Sequence, residues 1–192
     1  MVAWPELRGR PEVVAPRLLG ALVHHEGVVV RVTEVEAYAG ADDPGSHAAR
    51  GRTPRNASMF GPAGSLYCYF TYGMHVCANV VVGETGVAGA VLLRAGEVVD
   101  GHVLARERRP RSRDADLARG PARLCRALGI KLAHDGIDLA AGPVLLELPT
   151  RSTPLPQTGP RVGLRLAADR PWRFWTPGEA SVSPYRRHPR AE

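Results

Sequence analysis

Glu36 stands near the end of the apolar stretch "VVVRVTEVEAY", residues 28 to 38, where a carboxylate at the rim of a cavity would be partly desolvated. Desolvation raises a carboxylate's pKa and makes it a better proton acceptor near neutral pH. A solvent-facing carboxylate that balances nearby arginines would have the same local sequence, so the segment alone leaves both readings open. His47 follows in a loop, where a lone histidine is ordinarily a surface residue. His24 and His25 have no companions at metal-ligand spacing.

The loop "HAARGRTPRN" brings Arg50, Arg52 and Arg55 together. Guanidinium groups bind phosphate oxygens in pairs, which suits such a loop to a nucleic-acid backbone. A merely solvated basic loop is the alternative. In "LYCYFTYGMHVCANV", residues 66 to 80, strand alternation sends Tyr67 and Tyr69 to one face. Tyr72 precedes Gly73 at the expected hairpin turn, where it could project as a wedge into a base stack or fold back onto the hairpin.

Several elements must position these groups. Residues 11 to 23, "PEVVAPRLLGALV", read as a short amphipathic helix with Val13, Val14, Leu18, Leu19 and Leu22 on its apolar face. The β-branched run from Gly27 to Tyr38 reads as a strand with Glu34 and Glu36 on one face. Residues 39 to 65 have the composition of a long functional loop. A hairpin over 66 to 82 and a buried strand carrying Arg94 in "GVAGAVLLRAGEV" follow. The charged stretch "ARERRPRSRDADLARGP" lacks apolar periodicity and reads as a mobile or surface connection, and Pro121 then opens a helix in "PARLCRALGI". "VLLEL", "RVGLRLA" and "PWRFWTP" read as further strands and turns, with a frayed tail after Ser183.

At 192 residues one domain spanning 1–192 suffices, with no repeat or linker. No run approaches the roughly 18 apolar residues of a membrane span, and the first residues contain no signal-like core, so a cytoplasmic protein with no membrane partner is expected. The net charge of +6 favours an anionic partner such as nucleic acid. Cys68, Cys77 and Cys125 form no CxxC pair. Cys68 and Cys77 could face each other across the hairpin, with reduced packing residues the simpler expectation.

Taken together, "TEVEAYAGADDPGSHAARGRTPRNASMFGPAGSLYCYFTYGMHVCANVV", "AVLLRAGE", "GPARLCRALGI" and, more weakly, "PRVGLRLAADRPWRF" resemble the alkyladenine (3-methyladenine) DNA glycosylase family. The likeness runs in order from about Pro16 to Phe174. It implies a monomeric α+β domain, with a curved, mainly antiparallel and partly open barrel-like sheet and peripheral helices. It implies that damaged purines are flipped out of double-stranded DNA and that the N-glycosidic bond is hydrolysed without metal or organic cofactor. In a bacterium such a protein would associate with the nucleoid.

By position in "EAY", Glu36 matches the family's general base. Tyr38 and His47 match pocket residues, Tyr69 the stacking partner of the flipped purine, and Asn79 the residue that discriminates against guanine. Arg94 matches the residue that helps to position the attacking water, and Tyr72 the one that fills the gap in the minor groove. His75 stands where a tyrosine is familiar. Lys131, the only lysine, follows the expected helix and lies apart from these motifs, so no amine nucleophile for a lyase reaction is expected among them. A noncatalytic nucleic-acid-binding module and a nucleoside hydrolase are the rival readings. The first would not need a base beside a pocket, and the second would not need an arginine-rich surface and a wedge.

Overall fold

The structure is a computed structural model that describes residues 4–71, 73–150 and 154–192. Residues 11 to 23 do not form the single helix that their periodicity suggests. Pro16 has no backbone N–H to donate, and Gly20 takes a positive φ of 83°, so one turn of α-helix, α1 (Pro11–Val14), tightens into a 3-10 turn over Ala15–Leu18. The chain then enters strand β1 (Leu22–His25). Val14, Leu18 and Leu19 are buried as expected, whereas Val13 is 55% exposed.

β2 (Val28–Ala39) is the axis of the sheet. It is followed by β3 (Leu66–Thr71), β4 (His75–Val81) and β5 (Gly89–Asp100). Helices α2 (His102–Arg108) and α3 (Pro121–Leu128) then precede three short strands, β6 (Leu145–Glu147), β7 (Gln157–Gly159) and β8 (Arg173–Trp175). All pairings are antiparallel, in the order β3-β4-β5-β2-β1-β6, with β8 joining β2 and β7. The sheet curls into a half-barrel, in agreement with the expected α+β class.

β5 runs along one edge of β2, while β1 and β8 divide the other edge between its first and second halves. Residues 32 to 37 are therefore buried without interruption, and the simple in-out alternation of a half-exposed strand fails there. The pairing is also irregular at this point. Val32 opposes Gly96, Glu34 opposes Ala95 and Val35 opposes Leu93, which leaves Thr33 on β2 and Arg94 on β5 as one extra residue on each strand.

Several loops are more ordered than their composition suggests. Within residues 39 to 65, a 3-10 helix over Pro54–Phe60 is fixed by buried Asn56, which donates to the carbonyls of His47 (2.9 Å) and Gly51 (3.0 Å) and accepts from Thr53 N (2.6 Å). The charged run 105–121 is not a mobile connection: it contributes the end of α2 and buries Ala105, Leu117 and Ala118, while Arg106 pairs with Asp114 at 2.7 Å and Arg108 with Glu26 at 3.0 Å. Mutual pairing of its opposite charges lets it lie against the core. The segment "RVGLRLA" forms turns instead of a strand, with Ala167 at φ 51°. The tail after Ser183 is docked, since Arg186 O accepts from Gly163 N at 2.9 Å and Glu192 N donates to Arg165 O at 2.7 Å.

Cys68 pairs with Ala78 and Cys77 with Tyr69, so the two thiols are offset by one register position and all three cysteines are free. No helix among the described residues is long and apolar enough to cross a membrane.

Candidate active site

Glu34 and Glu36 are both completely buried, so Glu36 is not a solvent-facing carboxylate. Their partners distinguish them. Glu34 accepts from Arg94 Nε (2.9 Å), Arg173 Nε (2.6 Å), Ser183 N (2.7 Å) and Ser183 Oγ (3.0 Å), which occupies its acceptor sites. Glu36 accepts from Val162 N on Oε1 (2.7 Å) and from the Tyr38 hydroxyl on Oε2 (2.9 Å), with an Arg94 guanidinium nitrogen at 3.5 Å from Oε2. These contacts leave part of its acceptor capacity unused, and Glu36 is one of the residues lining a cavity of about 480 Å³, a volume suited to a small ligand.

Glu36, Tyr38, His47, Arg55, Tyr69, Asn79 and Arg94 all line this cavity. Arg94 follows Leu92 on the same face of β5 by strand alternation, and both side chains line the cavity, with Arg94 at the irregularity itself. Burial works against the Arg94 charge, but Glu36 and Glu34 outweigh it and hold the guanidinium above its usual pKa. Burial, reinforced by the negative charge of Glu36, pushes the Tyr38 phenol well above its usual value and keeps it a hydrogen-bond donor.

The opposite wall is aromatic. Tyr67 and Tyr69 share a face as β-strand alternation requires, with ring centroids 5.6 Å apart. His47 meets Tyr69 edge-on at 4.5 Å, and its Nδ1 lies 3.1 Å from the Tyr67 hydroxyl. Burial, and secondarily the charge of Arg55, lowers the His47 pKa, so the imidazole is neutral near pH 7 and presents no positive charge to the cavity. Burial also pushes the Tyr67 phenol up to about 12 and the Cys77 thiol beside Tyr69 up to about 11. Asn79 is anchored by Nδ2 donating to Tyr67 O at 3.0 Å.

Arg161 and Asp43 were not singled out by the sequence. Both are fully buried and form a two-point ion pair, with Arg161 Nη2 at 2.7 Å from Asp43 Oδ1 and Nη1 donating also to Ala37 O at 3.0 Å. The Arg161 guanidinium packs over the rings of Tyr38 (4.7 Å) and Trp172 (5.2 Å). It thus braces the back of Tyr38 and fixes the turn whose next residue, Val162, donates to Glu36. The two partners are 118 positions apart, and no local pattern joins them. Tyr67, Glu34 and Ser183 are likewise positioned by pairings that only the folded chain makes.

Of the arginine loop, Arg55 reaches the cavity and donates to Phe70 O at 2.9 Å, tying the loop to the hairpin. Arg50 and Arg52 stay exposed outside the cavity. Tyr72 lies outside the described residues. Gly73 beside it takes the positive φ of 69° that the turn was expected to require, and Phe70 and Met74 are 45% and 71% exposed. Lys131 borders a different cleft. Among the described residues, no cluster of three or more His, Cys, Asp or Glu side chains could hold a metal ion.

Comparison with known proteins bears on the chemistry of this cavity. Residues 6–180 match the family model described as methylpurine-DNA glycosylase. A relative from Leifsonia xyli subsp. xyli is 58% identical over 189 residues, covering 92% of this chain and 88% of its own. One from Nocardia farcinica is 55% identical and covers 100% of this chain and 94% of its own, and one from Frankia casuarinae is 54% identical over 88% and 86% respectively. All three carry the provisional name 3-methyladenine DNA glycosylase. With a buried carboxylate at an aromatic cavity and a family match over most of its length, the chain belongs to the methylpurine-DNA glycosylase family.

Proposed function

We propose that this protein is a monofunctional DNA glycosylase, acting as a monomer, that removes alkylated purines of the 3-methyladenine and 7-methylguanine class from duplex DNA. Hypoxanthine and ethenoadenine belong to the same candidate range. The purine is flipped into the 480 Å³ cavity, because the sugar C1′ is inaccessible in an intact stack. Tyr69, Tyr38 and His47 contact the flipped base, and Asn79 discriminates against guanine. Tyr72 occupies the vacated gap, and Arg50, Arg52 and Arg55 contact the backbone. A cationic purine is favoured by electron-rich phenol rings and by a neutral imidazole.

Glu36 accepts a proton from a water held between its free lone pairs and Arg94. For an N-alkylated, cationic purine, the water oxygen bonds to C1′, the C1′–N bond breaks, and its electron pair neutralises the departing base, leaving an abasic site for base excision repair. Among the described residues no lysine lines the cavity, which supports simple hydrolysis without a Schiff base.

The observation that carries this reading is the fully buried Glu36 carboxylate with unused acceptor capacity at an aromatic cavity. Glu36→Gln is expected to abolish release of 3-methyladenine from a lesion duplex, scored as alkali-labile abasic sites, while duplex binding stays within a few-fold of wild type. Full retention of excision would remove Glu36 from the role of base. Lesion binding by the wild type with no abasic product would favour a noncatalytic binding module.

A further inference from the structure

The β3–β4 hairpin has two faces near its tip, and the aromatic cavity uses one of them. Tyr69, Thr71 and Cys77 line that cavity, while Val76 on the opposite face, together with Met74 and His75 at the tip, borders a separate cleft of about 930 Å³ closed by α2 and α3. Five basic residues, Arg108, Arg109, Arg123, Arg126 and Lys131, line this second cleft against a single carboxylate, Glu26.

The internal partners account for only part of that charge. Arg108 is held by Glu26 at 3.0 Å and by Ala127 O at 2.9 Å. Arg109 donates to Ser112 Oγ at 2.6 Å. Arg123 reaches Asp116 only at 4.0 Å, and that carboxylate already lies 2.9 Å from Arg113. Arg126 and Lys131 make no ion pair among the described residues. Burial, followed by the crowding charges of Arg123 and Arg126, lowers the Arg109 pKa, a cost that a bound anion would relieve.

We infer that this cleft holds the phosphodiester backbone of the DNA strand opposite the lesion. The inference rests on the glycosylase reading, in which the hairpin tip enters the duplex. The strand that gives up its base to the aromatic cavity occupies the first face of the hairpin, so its complement falls on the second. The exposed side chains of Phe70 and Met74 at the tip fit insertion between base steps. The arginines beyond them then face the backbone of the partner strand. Phosphate contacts of this kind position a duplex without reading its sequence.

The test uses the double variant Arg123→Gln/Arg126→Gln, whose side chains lie on the exposed face of α3 and outside the catalytic cavity. Removing one phosphate-binding cation lowers the slope of log K against log salt by about 0.9. The variant is expected to show a slope reduced by roughly one to two and about tenfold weaker binding of damaged and undamaged duplex alike. Single-turnover excision at saturating protein should be unchanged. Neutral methylphosphonate linkages in the strand opposite the lesion should weaken wild-type binding but have little further effect on the variant. An unchanged salt slope would overturn the inference, as would sensitivity confined to methylphosphonates in the lesion strand. Absence of excision by the wild type would instead sink the glycosylase reading, since the binding measurements score the cleft independently.

Discussion

Glu34 and Glu36 lie two residues apart on β2 and are equally buried, yet four donors saturate one and two leave the other receptive. The Tyr38 hydroxyl is one of those two, and its ring separately covers Arg161, so its two parts can be tested apart. Tyr38→Phe keeps the ring and removes a hydrogen bond to a charged group, worth about 1.5–3 kcal/mol. If the bond aligns Glu36 throughout the reaction, single-turnover excision should fall roughly 10- to 100-fold, while the melting temperature drops by at most roughly 3–12 °C and the variant stays folded at the assay temperature. Excision at the wild-type rate would show that Val162 N and Arg94 orient the carboxylate unaided. The Glu36–Tyr38 neighbourhood was legible in the sequence, because residues i and i+2 of a strand share a face. The saturation of Glu34 was not, since Arg94, Arg173 and Ser183 reach it from distant segments.

At the scale of the element, a double irregularity between β2 and β5 lies beside the site. Thr33 and Arg94 are its extra residues, and Gly96 pairs with Val32 at its edge. A methyl group on Gly96 would meet Val30 Cγ1 and approach the Arg31 carbonyl oxygen to 2.6 Å, so the strands must move apart to admit it. Gly96→Ala is therefore expected to lose about 1–3 kcal/mol in urea unfolding. Excision measured well below the melting transition should fall further than the fraction unfolded explains, because Arg94 is carried two residues away on the same strand. A variant that loses stability but keeps wild-type excision would separate the bulge from the chemistry. Strand alternation and β-branched composition made the hairpin and both long strands recognisable in advance. The bulge was not recognisable, since nothing local in "LLRAGEV" distinguishes a regular strand from one with an extra residue. The same limit applies to residues 11 to 23, whose apolar spacing fits a helix until Pro16 and Gly20 are weighed.

Across the whole molecule, the half-barrel closes its polar centre with the last part of the chain. β8 joins β2 beside Glu34, and the chain then returns so that Ser183 donates twice to Glu34 and accepts from Arg173 at 2.7 Å. Ser181 Oγ meets Thr33 Oγ1 at 2.8 Å, on the extra residue of the bulge. Composition reads the segment beyond Ser183 as a frayed tail, and polar, proline-rich sequence gives no sign that Ser183, at its start, docks on a buried carboxylate. A chain ended after Gly178 leaves Arg173 short of an acceptor and Glu34 short of two donors in a buried network. Such losses cost about 3–5 kcal/mol, and at this chain length each kcal/mol shifts the melting temperature by roughly 2–4 °C. The truncated chain should therefore melt roughly 6–20 °C lower and lose excision. A chain ended after Tyr185 keeps Ser181 and Ser183, and should remain within a few degrees of full length with excision intact. Equal melting temperatures for the two truncations would mean that water replaces the serine hydrogen bonds at no cost, and the buried Glu34–Arg94–Arg173 cluster would then stand without its closing strap.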